Sequence, residues 1–600
     1  MEKEEALDIK IRFCTENGSG SSTANNIILK AIFKMGIPVS GRNFFPSNIQ
    51  GLPTWYYLRI NSKGFLARRE MDDIVVIMNP VTAEKDLENI NPGGYVIINE
   101  SIQNKYFQED VTFLRVPVDR ILKDSEAPSN LLVYLSNVVY VGILAFLIGI
   151  DLLKINEVLD QHFNGNKKAI DVNMKVIQAS YEWSQANAKE IEHFYLKPSS
   201  WNKGKIMVDG NTAAALGALY GGLQFSAWYP ITPATSLAET ISEFLPSLRT
   251  DKKTGRKTCV VVQAEDELAA IGMVVGAGWA GLRSMTSTSG PGLCLMSEYL
   301  GLAYFAEVPL VVWNVQRVGP STGLPTHTSQ GDLTFTYFMS HGDKNYIILL
   351  PANPNECFEF GWKALDIAEV YQTPVIVLSD LELGMDEWAT DAFKYPETKI
   401  QRGKILWEDE LENIIKMSPQ GWGRYLDIDG DGIPYRTIPG NSHPQSSYLA
   451  RGTGHDEFAN YSEKRKDWEK NLNRLSTKVL NASEKLPDPE INEKSDSKVG
   501  IISYGTTDSP VREAIELENK NNQNLSYMRI KSLPFKNEVK NFISKKEKIF
   551  VVENNRDGQM YQLLCLNFPE YANRFISIAH CDGASISTDW VIEEIEKHIA

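Results

Sequence analysis

The chain has 600 residues, which exceeds what one hydrophobic core normally holds and predicts roughly three or four domains. Its 61 basic and 76 acidic residues give a net charge of −15, which argues against a nucleic-acid or anionic-lipid surface. The six cysteines show no metal-ligand spacing, so we expect no iron–sulfur cluster or other metal in this chain. Scattered thiols and the absence of a secretory signal predict a cytoplasmic protein.

The N-terminal part, residues 1–195, is predicted to be an α/β domain. Its first strand-like segment is Leu7–Phe13, and a helical pattern follows over Ala24–Met35. Further strand-like segments, at Ile74–Met78 and Gly94–Ile98, alternate with helices. This alternation predicts a doubly wound sheet.

A glycine turn, Gly18–Thr23, connects the first strand to the first helix. A dinucleotide fingerprint would need a third glycine where Thr23 stands. The turn therefore suits either a phosphate at the helix N-terminus or a plain tight turn.

An apolar run in the same part, Leu131–Ile150, is about as long as a membrane span. Polar Ser136 and Asn137 lie within it, and its flanks lack an aromatic or basic anchor pattern. We interpret the run as a buried helix, with a membrane helix as the alternative.

Residues 206–395 are predicted to form a second α/β domain, after a linker at residues 190–206. Its strand-like segments are Cys259–Gln263, Ser284–Ser289, Val308–Val315, Tyr346–Leu350 and Pro374–Ser379. Apolar strands between helices are typical of a parallel sheet that is covered on both faces. Ligands of such sheets bind at the carboxyl ends of the strands. Glu267, Gly290 and Arg317 each follow a predicted strand, so we expect them to share a site.

Three motifs of this domain carry chemical information. Trp228–Ser236 holds two prolines around a threonine, and Gln263–Ala270 places three carboxylates ahead of a small-residue helix. Val315–Thr326 places Arg317 directly after an apolar strand. Singly, the motifs suit a turn, a solvated helix start and a surface arginine, but all three fall within about a hundred residues.

Together the motifs resemble the alpha subunit of 2-oxoacid:ferredoxin oxidoreductases, in the form with a gamma domain fused at the N-terminus. The Tyr229–Pro233 loop and the Gly319–Thr326 segment are hallmarks of that family, and the resemblance covers nearly the whole chain. The segment Phe45–Trp55 resembles the signature loop of the gamma domain, which the family links to coenzyme A.

The resemblance implies an α/β protein with three doubly wound domains. These are a gamma-type domain (1–195), a transketolase-like domain that binds the thiamine pyrimidine (206–395) and a transketolase C-terminal-like domain (496–600). Residues 396–495 would form an irregular insert and linker. The insert contains Asp427–Gly432, which matches the start of an EF-hand but has Ile438 where the bidentate glutamate is needed, so we expect a carboxylate-rich turn with at most an incidental cation.

The resemblance also assigns roles to residues of the second domain. Glu267 would hydrogen-bond to the aminopyrimidine ring of thiamine diphosphate, with Glu265 as the alternative if the register is off by two. Arg317 and the Thr232 hydroxyl would hold the carboxylate of the substrate. The other cofactor-binding residues implied are Tyr229, Pro230, Ile231 and Gly290.

On this basis the chain holds half of a cofactor pocket. A beta subunit would carry the diphosphate site, Mg²⁺ and a [4Fe-4S] cluster, and ferredoxin and coenzyme A would complete the reaction. The implied activity is oxidative decarboxylation of 2-oxoglutarate to succinyl-CoA and CO₂. Pyruvate or branched-chain 2-oxoacids are alternative substrates, and a non-catalytic coenzyme A-binding scaffold is an alternative of another class. We expect neither nucleic acid nor membrane as a partner.

Overall fold

The computed structural model describes residues 7–45, 51–102, 110–521 and 523–599. Within these ranges the chain builds sheets of six, seven and five strands, and a separate two-stranded ribbon. Helices pack against sheets that are mostly parallel, which confirms the predicted α/β fold class.

The first sheet has the strand order β2-β3-β1-β4-β5-β6. Its strands are β1 (Asp8–Glu16), β2 (Val39–Phe44), β3 (Pro53–Asn61), β4 (Asp72–Ile77), β5 (Ile90–Asn99) and β6 (Thr112–Val116). Its helices are α1 (Ser21–Lys34), α2 (Val118–Asp124), α3 (Leu132–Leu135), α4 (Val139–Ile148), α5 (Leu152–His162) and α6 (Lys167–Asn187). Strands β2 and β3 are antiparallel to their neighbours and were not predicted. Residues 46–50 of the predicted signature loop lie outside the described residues.

The apolar run forms a helix inside this first domain. By length and composition alone Ser129–Ile148 could cross a membrane, but 72% of its apolar window is buried within the protein. Every residue of α4 is buried. A side chain in place of Gly142 would lie 2.1 Å from Ser180 Oγ of α6, so the two helices are in close contact. The prediction of a buried helix is confirmed for Val139–Ile148, whereas Leu132, Val133 and Tyr134 at the start of the run are exposed.

The space beside the glycine turn before α1 is filled by other residues of the same domain. Asn137 Nδ2 donates hydrogen bonds of 2.8 Å to the Ser19 carbonyl and to Ser19 Oγ. The Tyr134 carbonyl lies 3.0 Å from where a Cβ of Gly20 would be. These contacts favour the plain tight turn over a phosphate cradle.

The second sheet has the order β18-β12-β13-β11-β10-β8-β9, with all strands parallel except β18. The strands of this region are β7 (Lys205–Val208), β8 (Phe225–Trp228), β9 (Val260–Gln263), β10 (Ser284–Thr288), β11 (Leu310–Gln316), β12 (Ile347–Leu349), β13 (Pro374–Asp380) and β14 (Trp388–Asp391), and β7 and β14 form the ribbon. The helices are α7 (Gly210–Tyr220), α8 (Thr235–Leu248), α9 (Glu267–Trp279), α10 (Gly290–Phe305), α11 (Leu333–Phe338), α12 (Pro354–Tyr371) and α13 (Leu381–Met385). All five predicted strands are present within about two residues of their predicted ends.

Two helices, α14 (Glu408–Met417) and α15 (Arg465–Ser483), follow the second sheet. Helix α15 is anchored to Glu307, which is buried in the connection between α10 and β11. Lys478 Nζ lies 2.7 Å and Arg474 Nη1 3.0 Å from Glu307 Oε2. Arg424 Nη2 donates to the Glu307 carbonyl at 2.9 Å. This cluster, here called the Glu307 cluster, holds the irregular segment against the second domain.

Two carboxylates of the turn at Asp427–Gly432 are paired with a lysine of the same chain. Lys404 Nζ lies 2.6 Å from Asp429 Oδ2 and 2.9 Å from Asp431 Oδ1. Asp427 accepts hydrogen bonds from the amides of Gly430 and Gly432. The lysine ammonium therefore offsets part of the negative charge of the three aspartates in the turn.

The third sheet has the order β15-β17-β16-β19-β20. The strands of this last part are β15 (Glu490–Asn492), β16 (Val499–Tyr504), β17 (Leu525–Ile530), β18 (Ser532–Leu533), β19 (Lys548–Glu553) and β20 (Phe575–Ala579). Its helices are α16 (Asp508–Lys520), α17 (Asn537–Ser544), α18 (Gln559–Asn567) and α19 (Thr588–Ile599). Strand β18 leaves this sheet and pairs with β12, so Leu533 lies opposite Ile348 at the edge of the second sheet.

Arginine–carboxylate pairs join the three sheets. Arg59 of β3 binds Glu513 of α16 with two hydrogen bonds of 2.8 and 2.6 Å. Arg529 of β17 binds Glu356 of α12 in the same manner, at 2.6 and 2.8 Å. Bidentate pairs fix orientation as well as distance, so the third sheet is held in a defined orientation relative to each of the other two.

Candidate active site

The predicted site residues lie at the carboxyl edge of the second sheet. Strands β8, β10 and β11 are adjacent and parallel, so the residues that follow them emerge at the same edge. Thr232 follows β8, Gly290 begins α10 after β10, and Arg317 follows β11 directly. Glu267 begins α9, four residues after the last residue of β9.

Of the three consecutive acidic residues Glu265, Asp266 and Glu267, only Glu267 is buried. It is 8% exposed, whereas Glu265 and Asp266 are exposed. Asp266 caps α9, since its carboxylate accepts a hydrogen bond of 2.6 Å from the Ala269 amide. In the part of the chain that the structure describes, the Glu267 carboxylate has no hydrogen-bond or ion-pair partner. Burial without a partner is unfavourable for a carboxylate and typical of functional sites.

The start of α10 lies against Glu267. A Cβ at Gly292 would lie 2.9 Å from Glu267 Cγ and 3.0 Å from Oε1. The same Cβ would lie 2.1 Å from Thr288 Oγ1. Glycine at this position therefore lets the carboxyl group lie against the N-terminus of the helix.

Arg317 connects two of the sequence motifs. Its Nη1 donates a hydrogen bond of 2.8 Å to the Thr232 carbonyl, so the arginine segment contacts the Tyr229–Pro233 loop. The contact uses the main chain of Thr232, and the role of the hydroxyl stays a prediction. Arg317 is 7% exposed, and its Nε is buried without a hydrogen-bond partner among the described residues.

The loop after β8 presents its other predicted residues at the surface. Tyr229 and Pro230 are exposed and Ile231 is half-buried. The base of the loop is held by Asn211 of α7, whose Nδ2 donates to the Pro233 carbonyl at 2.9 Å. The loop is thus fixed at its base and open at its tip.

Asp332 belongs to the same edge and was not predicted. It accepts a hydrogen bond of 2.8 Å from Asn314 Nδ2 of β11 through Oδ2. A Cβ at Gly290 would lie 2.8 Å from Asp332 Oδ1, so the carboxyl group lies against the start of α10. Burial raises the pKa of Asp332 to about 6, although the bond from Asn314 and the charge of Arg317 act in the opposite direction. The sequence signal was weak, because an aspartate before a short helix is an ordinary capping residue.

Three buried polar atoms at this edge have no partner among the described residues. They are Ser289 Oγ, Asn314 Oδ1 and Arg317 Nε. Buried polar atoms of folded proteins are normally satisfied, so this group fits a polar ligand that would complete the hydrogen bonds. A carboxylate, hydroxyl groups and a glycine-lined helix start suit the amino-substituted ring of a thiamine cofactor.

Comparison with known proteins agrees with this site. Residues 216–406 match the family described as "Pyruvate flavodoxin/ferredoxin oxidoreductase, thiamine diP-bdg". Residues 10–183 match the family described as "Pyruvate ferredoxin/flavodoxin oxidoreductase". The fold and the site thus define a thiamine diphosphate-binding α/β protein.

Relatives identify the family. The alpha subunit of 2-oxoacid:ferredoxin oxidoreductase 1 from Sulfurisphaera tokodaii is 30% identical over 595 residues, covering 90% of each chain. The 2-oxoglutarate synthase subunit KorA of Methanothermobacter marburgensis is 35% identical over 363 residues, 60% of this chain and 89% of that protein. The chain belongs to the alpha subunits of the 2-oxoacid:ferredoxin oxidoreductases.

A solved structure shares the whole fold. It is 2-oxoglutarate:ferredoxin oxidoreductase from Magnetococcus marinus with 2-oxoglutarate, coenzyme A and succinyl-CoA bound, at a TM-score of 0.89 and 28% identity. The similarity covers 99% of this chain and all of that chain. The chain is therefore an oxidoreductase subunit with the fold of a 2-oxoglutarate enzyme.

Proposed function

We propose that this chain is the alpha subunit of a 2-oxoglutarate:ferredoxin oxidoreductase, which converts 2-oxoglutarate and coenzyme A to succinyl-CoA and CO₂ and passes two electrons to ferredoxin. The observation that carries the proposal is the convergence of Glu267 and Arg317 at one sheet edge. The choice of 2-oxoglutarate is supported by the KorA relatives and by the Magnetococcus enzyme, both named for that substrate.

Thiamine diphosphate, when bound, supplies the carbanion chemistry that decarboxylates a 2-oxoacid. Glu267 would hold a proton between its carboxyl group and a ring nitrogen of the aminopyrimidine, and Gly292 leaves the space for that contact. At the same ring, the unpartnered Asn314 Oδ1 would accept a hydrogen bond, and the unpartnered Ser289 Oγ would donate or accept one. Arg317 would hold the carboxylate next to the 2-oxo group, with Thr232 beside it.

We propose that a beta subunit completes the pocket. Apolar side chains of the two helices that begin at the site are exposed to between 38% and 49% of their surface: Leu268, Met273 and Trp279 on α9 and Leu295 on α10. Val260 of β9, the edge strand, is 54% exposed. Exposed apolar side chains are typical of protein–protein interfaces, and Tyr229 and Pro230 of the loop after β8 are exposed as well.

The beta subunit is also the proposed site of Mg²⁺ and of the [4Fe-4S] cluster. The buried cysteines of this chain lie in separate elements, with Cys14 in β1 of the first sheet, Cys259 next to β9 and Cys357 in α12. Such dispersed thiols do not surround one cluster. Ferredoxin and coenzyme A would then bind the assembled complex, which we place in the cytoplasm.

The experiment is an anaerobic assay of the chain coexpressed with its beta subunit, following coenzyme A-dependent dye reduction with 2-oxoglutarate, pyruvate and a branched-chain 2-oxoacid. We expect 2-oxoglutarate to give the highest kcat/KM. Glu267→Gln should lower kcat by about 10²–10⁴, the usual contribution of a positioned acid–base group.

Glu265→Gln is the matched control, since Glu265 is exposed and lies two residues earlier. It should leave kcat within about twofold of the wild type. Normal turnover by Glu267→Gln would favour a non-catalytic scaffold instead, and a strong preference for pyruvate would overturn the substrate assignment alone.

A further inference from the structure

We infer that the first domain takes part in binding the 2-oxoacid: the end of β2 holds the segment that closes the loop of Arg317, which makes Thr326 and His327 positioning residues for the arginine. The inference rests on the proposed function, because it assigns Arg317 to the substrate carboxylate. It predicts that contacts between two domains set the affinity for the substrate.

Arg317 lies at the start of a loop that is closed by main-chain hydrogen bonds. The Val318 amide donates to the His327 carbonyl at 3.1 Å, and the His327 amide donates to the Leu324 carbonyl at 3.1 Å. The Leu324 amide donates to the Val318 carbonyl at 3.0 Å. Because Val318 follows Arg317 directly, the main chain of the arginine is fixed to that of His327.

The first domain contacts this closure at two consecutive residues. Thr326 Oγ1 donates a hydrogen bond of 2.7 Å to the Phe45 carbonyl, and Thr326 is buried. The ring of Phe44 meets the ring of His327 edge to face, with the centroids 4.5 Å apart and the planes at 75°. Aromatic pairs prefer this geometry. The residues that close the arginine loop are therefore the residues that the first domain touches.

The end of β2 is itself anchored to the second domain. The Arg42 guanidinium lies 2.8 Å from Glu382 Oε1 through Nε and 2.7 Å through Nη2, and both residues are buried. The Asn43 amide donates to Asp386 Oδ1 at 3.0 Å. Glu382 belongs to α13 and Asp386 follows that helix directly. The residues before the two phenylalanines are thus fixed, so β2 gives the arginine loop a defined support.

The third domain holds the other side of the same segment. The Thr328 amide donates to the Gly583 carbonyl at 3.2 Å, and the Gln330 amide donates to the Asn554 carbonyl at 2.7 Å. Gln330 Nε2 donates to the Tyr504 carbonyl at 2.9 Å. The arginine loop is therefore placed by the second sheet at its start and by the first and third domains at its end.

The side chain of Arg317 makes few polar contacts of its own. Among the described residues its hydrogen bond is that from Nη1 to the Thr232 carbonyl, and its Nε has no partner. The main chain of the loop therefore decides where the guanidinium lies. Bidentate binding of a carboxylate needs accurate placement, so a looser loop should weaken substrate binding. Glu267 lies on α9, outside this loop, so the chemical step should be affected less.

The first experiment removes the hydrogen bond to Phe45 in the complex with the beta subunit. Thr326→Val keeps the size of the side chain and loses the donor, so KM for 2-oxoglutarate should rise about five- to tenfold, the value of one hydrogen bond. Thr326→Ser keeps the donor and should restore KM to within about twofold of the wild type. In Thr326→Val, kcat should fall by a smaller factor than KM rises.

Thr437→Val is the matched control for that variant. Thr437 is also buried, and its hydroxyl donates to the Ser446 carbonyl in the irregular segment that follows the second sheet. Its substitution should lower the Tm as much as Thr326→Val does and leave KM unchanged. A lower Tm with an unchanged KM in both variants would assign the Thr326 contact to structure alone and overturn the inference.

The second experiment tests the ring contact and does not depend on the Thr326 hydroxyl. His327→Ala and Phe44→Ala remove the same contact, so each should raise KM, and the double variant should raise it less than the product of the two single effects. His327→Phe keeps an aromatic ring and should keep KM near the wild-type value. His341→Ala changes an exposed histidine and should have no effect. Single effects that multiply in the double variant would show that the two rings act separately and would contradict the inference.

The outcomes separate this inference from the proposed function. If Thr326→Val raises KM and Thr326→Ser restores it, the first domain positions the arginine. If Glu267→Gln is inactive while Thr326→Val and His327→Ala keep the wild-type KM, the first domain has no part in placing the arginine and the enzyme assignment stands. If Glu267→Gln is fully active, the proposed function itself fails.

Discussion

The two ends of strand β11 differ in how their buried charges are satisfied. Before the strand, Glu307 is paired with both Arg474 and Lys478, and Arg424 binds its carbonyl. Burial alone would raise the pKa of Glu307, but the charges of Arg474 and Lys478 hold it well below its usual value. After the strand, the Asp332 carboxyl group has no ion pair among the described residues, and its pKa is raised.

The two ends of β11 are therefore expected to have different roles, one in stability and one in activity. A buried charge with every partner in place stabilises one conformation, and its loss leaves the partners uncompensated. Buried polar groups that lack partners carry a free-energy cost that a ligand relieves. The Glu307 cluster is therefore expected to control stability, and the opposite end of β11 is expected to control activity.

The largest effect should come from breaking the Glu307 cluster. Glu307→Gln leaves Arg474 and Lys478 buried without a counter-charge, so the free energy of unfolding should fall by about 3–5 kcal/mol. Because the pKa is lowered, this stabilisation is present above the ordinary pKa of 4.5 and declines as the pH falls below it. Thermal or denaturant unfolding at pH 7 and pH 4 measures both effects.

Glu157→Gln is the control for that variant, since Glu157 pairs with Lys154 at an exposed surface. It should leave the stability nearly unchanged, because exposed ion pairs contribute little. A similarly small change in Glu307→Gln would mean that the cluster contributes little and that the comparison between the two ends of β11 is wrong.

A substitution at the opposite end of β11 should lower activity more than stability. Arg317→Ala should weaken the binding of 2-oxoglutarate by about 2–5 kcal/mol, seen as a raised KM, because it removes a charged hydrogen-bond donor from a desolvated site. Its Tm should change less than its KM, since the arginine makes one hydrogen bond, to the Thr232 carbonyl, and its Nε lacks a partner in the described chain. Arg451→Ala is matched to it, because Arg451 also donates to a main-chain carbonyl, that of Ala459. A large loss of Tm with an unchanged KM would assign Arg317 to structure.

The smallest effect is expected at the Lys404 turn, whose carboxylates are exposed. Lys404→Met should destabilise the protein by less than about 1 kcal/mol, since exposed ion pairs contribute little. The Tm of this variant should be measured with and without calcium. A gain with calcium in the variant alone would show that the turn accepts a cation once the lysine is gone. A gain in the wild type would show that Lys404 does not keep other cations out of the turn.

The parallel core was predictable from the sequence because its strands are short apolar runs with definite ends. The edges were not. Strand β2 is polar and β18 has only two residues, so neither carries a periodic pattern. Glu267 and Arg317 could be placed because each follows a strand, although their roles are still predictions. Asp332 gains its surroundings from Gly290 and Asn314, which are distant in sequence, so no local pattern identifies it.

The pairing of β18 with β12 has a consequence for how the chain is made. Until residues 532–533 have left the ribosome, the outer edge of β12 offers unpaired amides and carbonyls to any extended peptide. The middle of the protein therefore cannot finish folding as it is synthesised, and a nascent chain that stalls before this point is expected to need a chaperone to keep that edge covered.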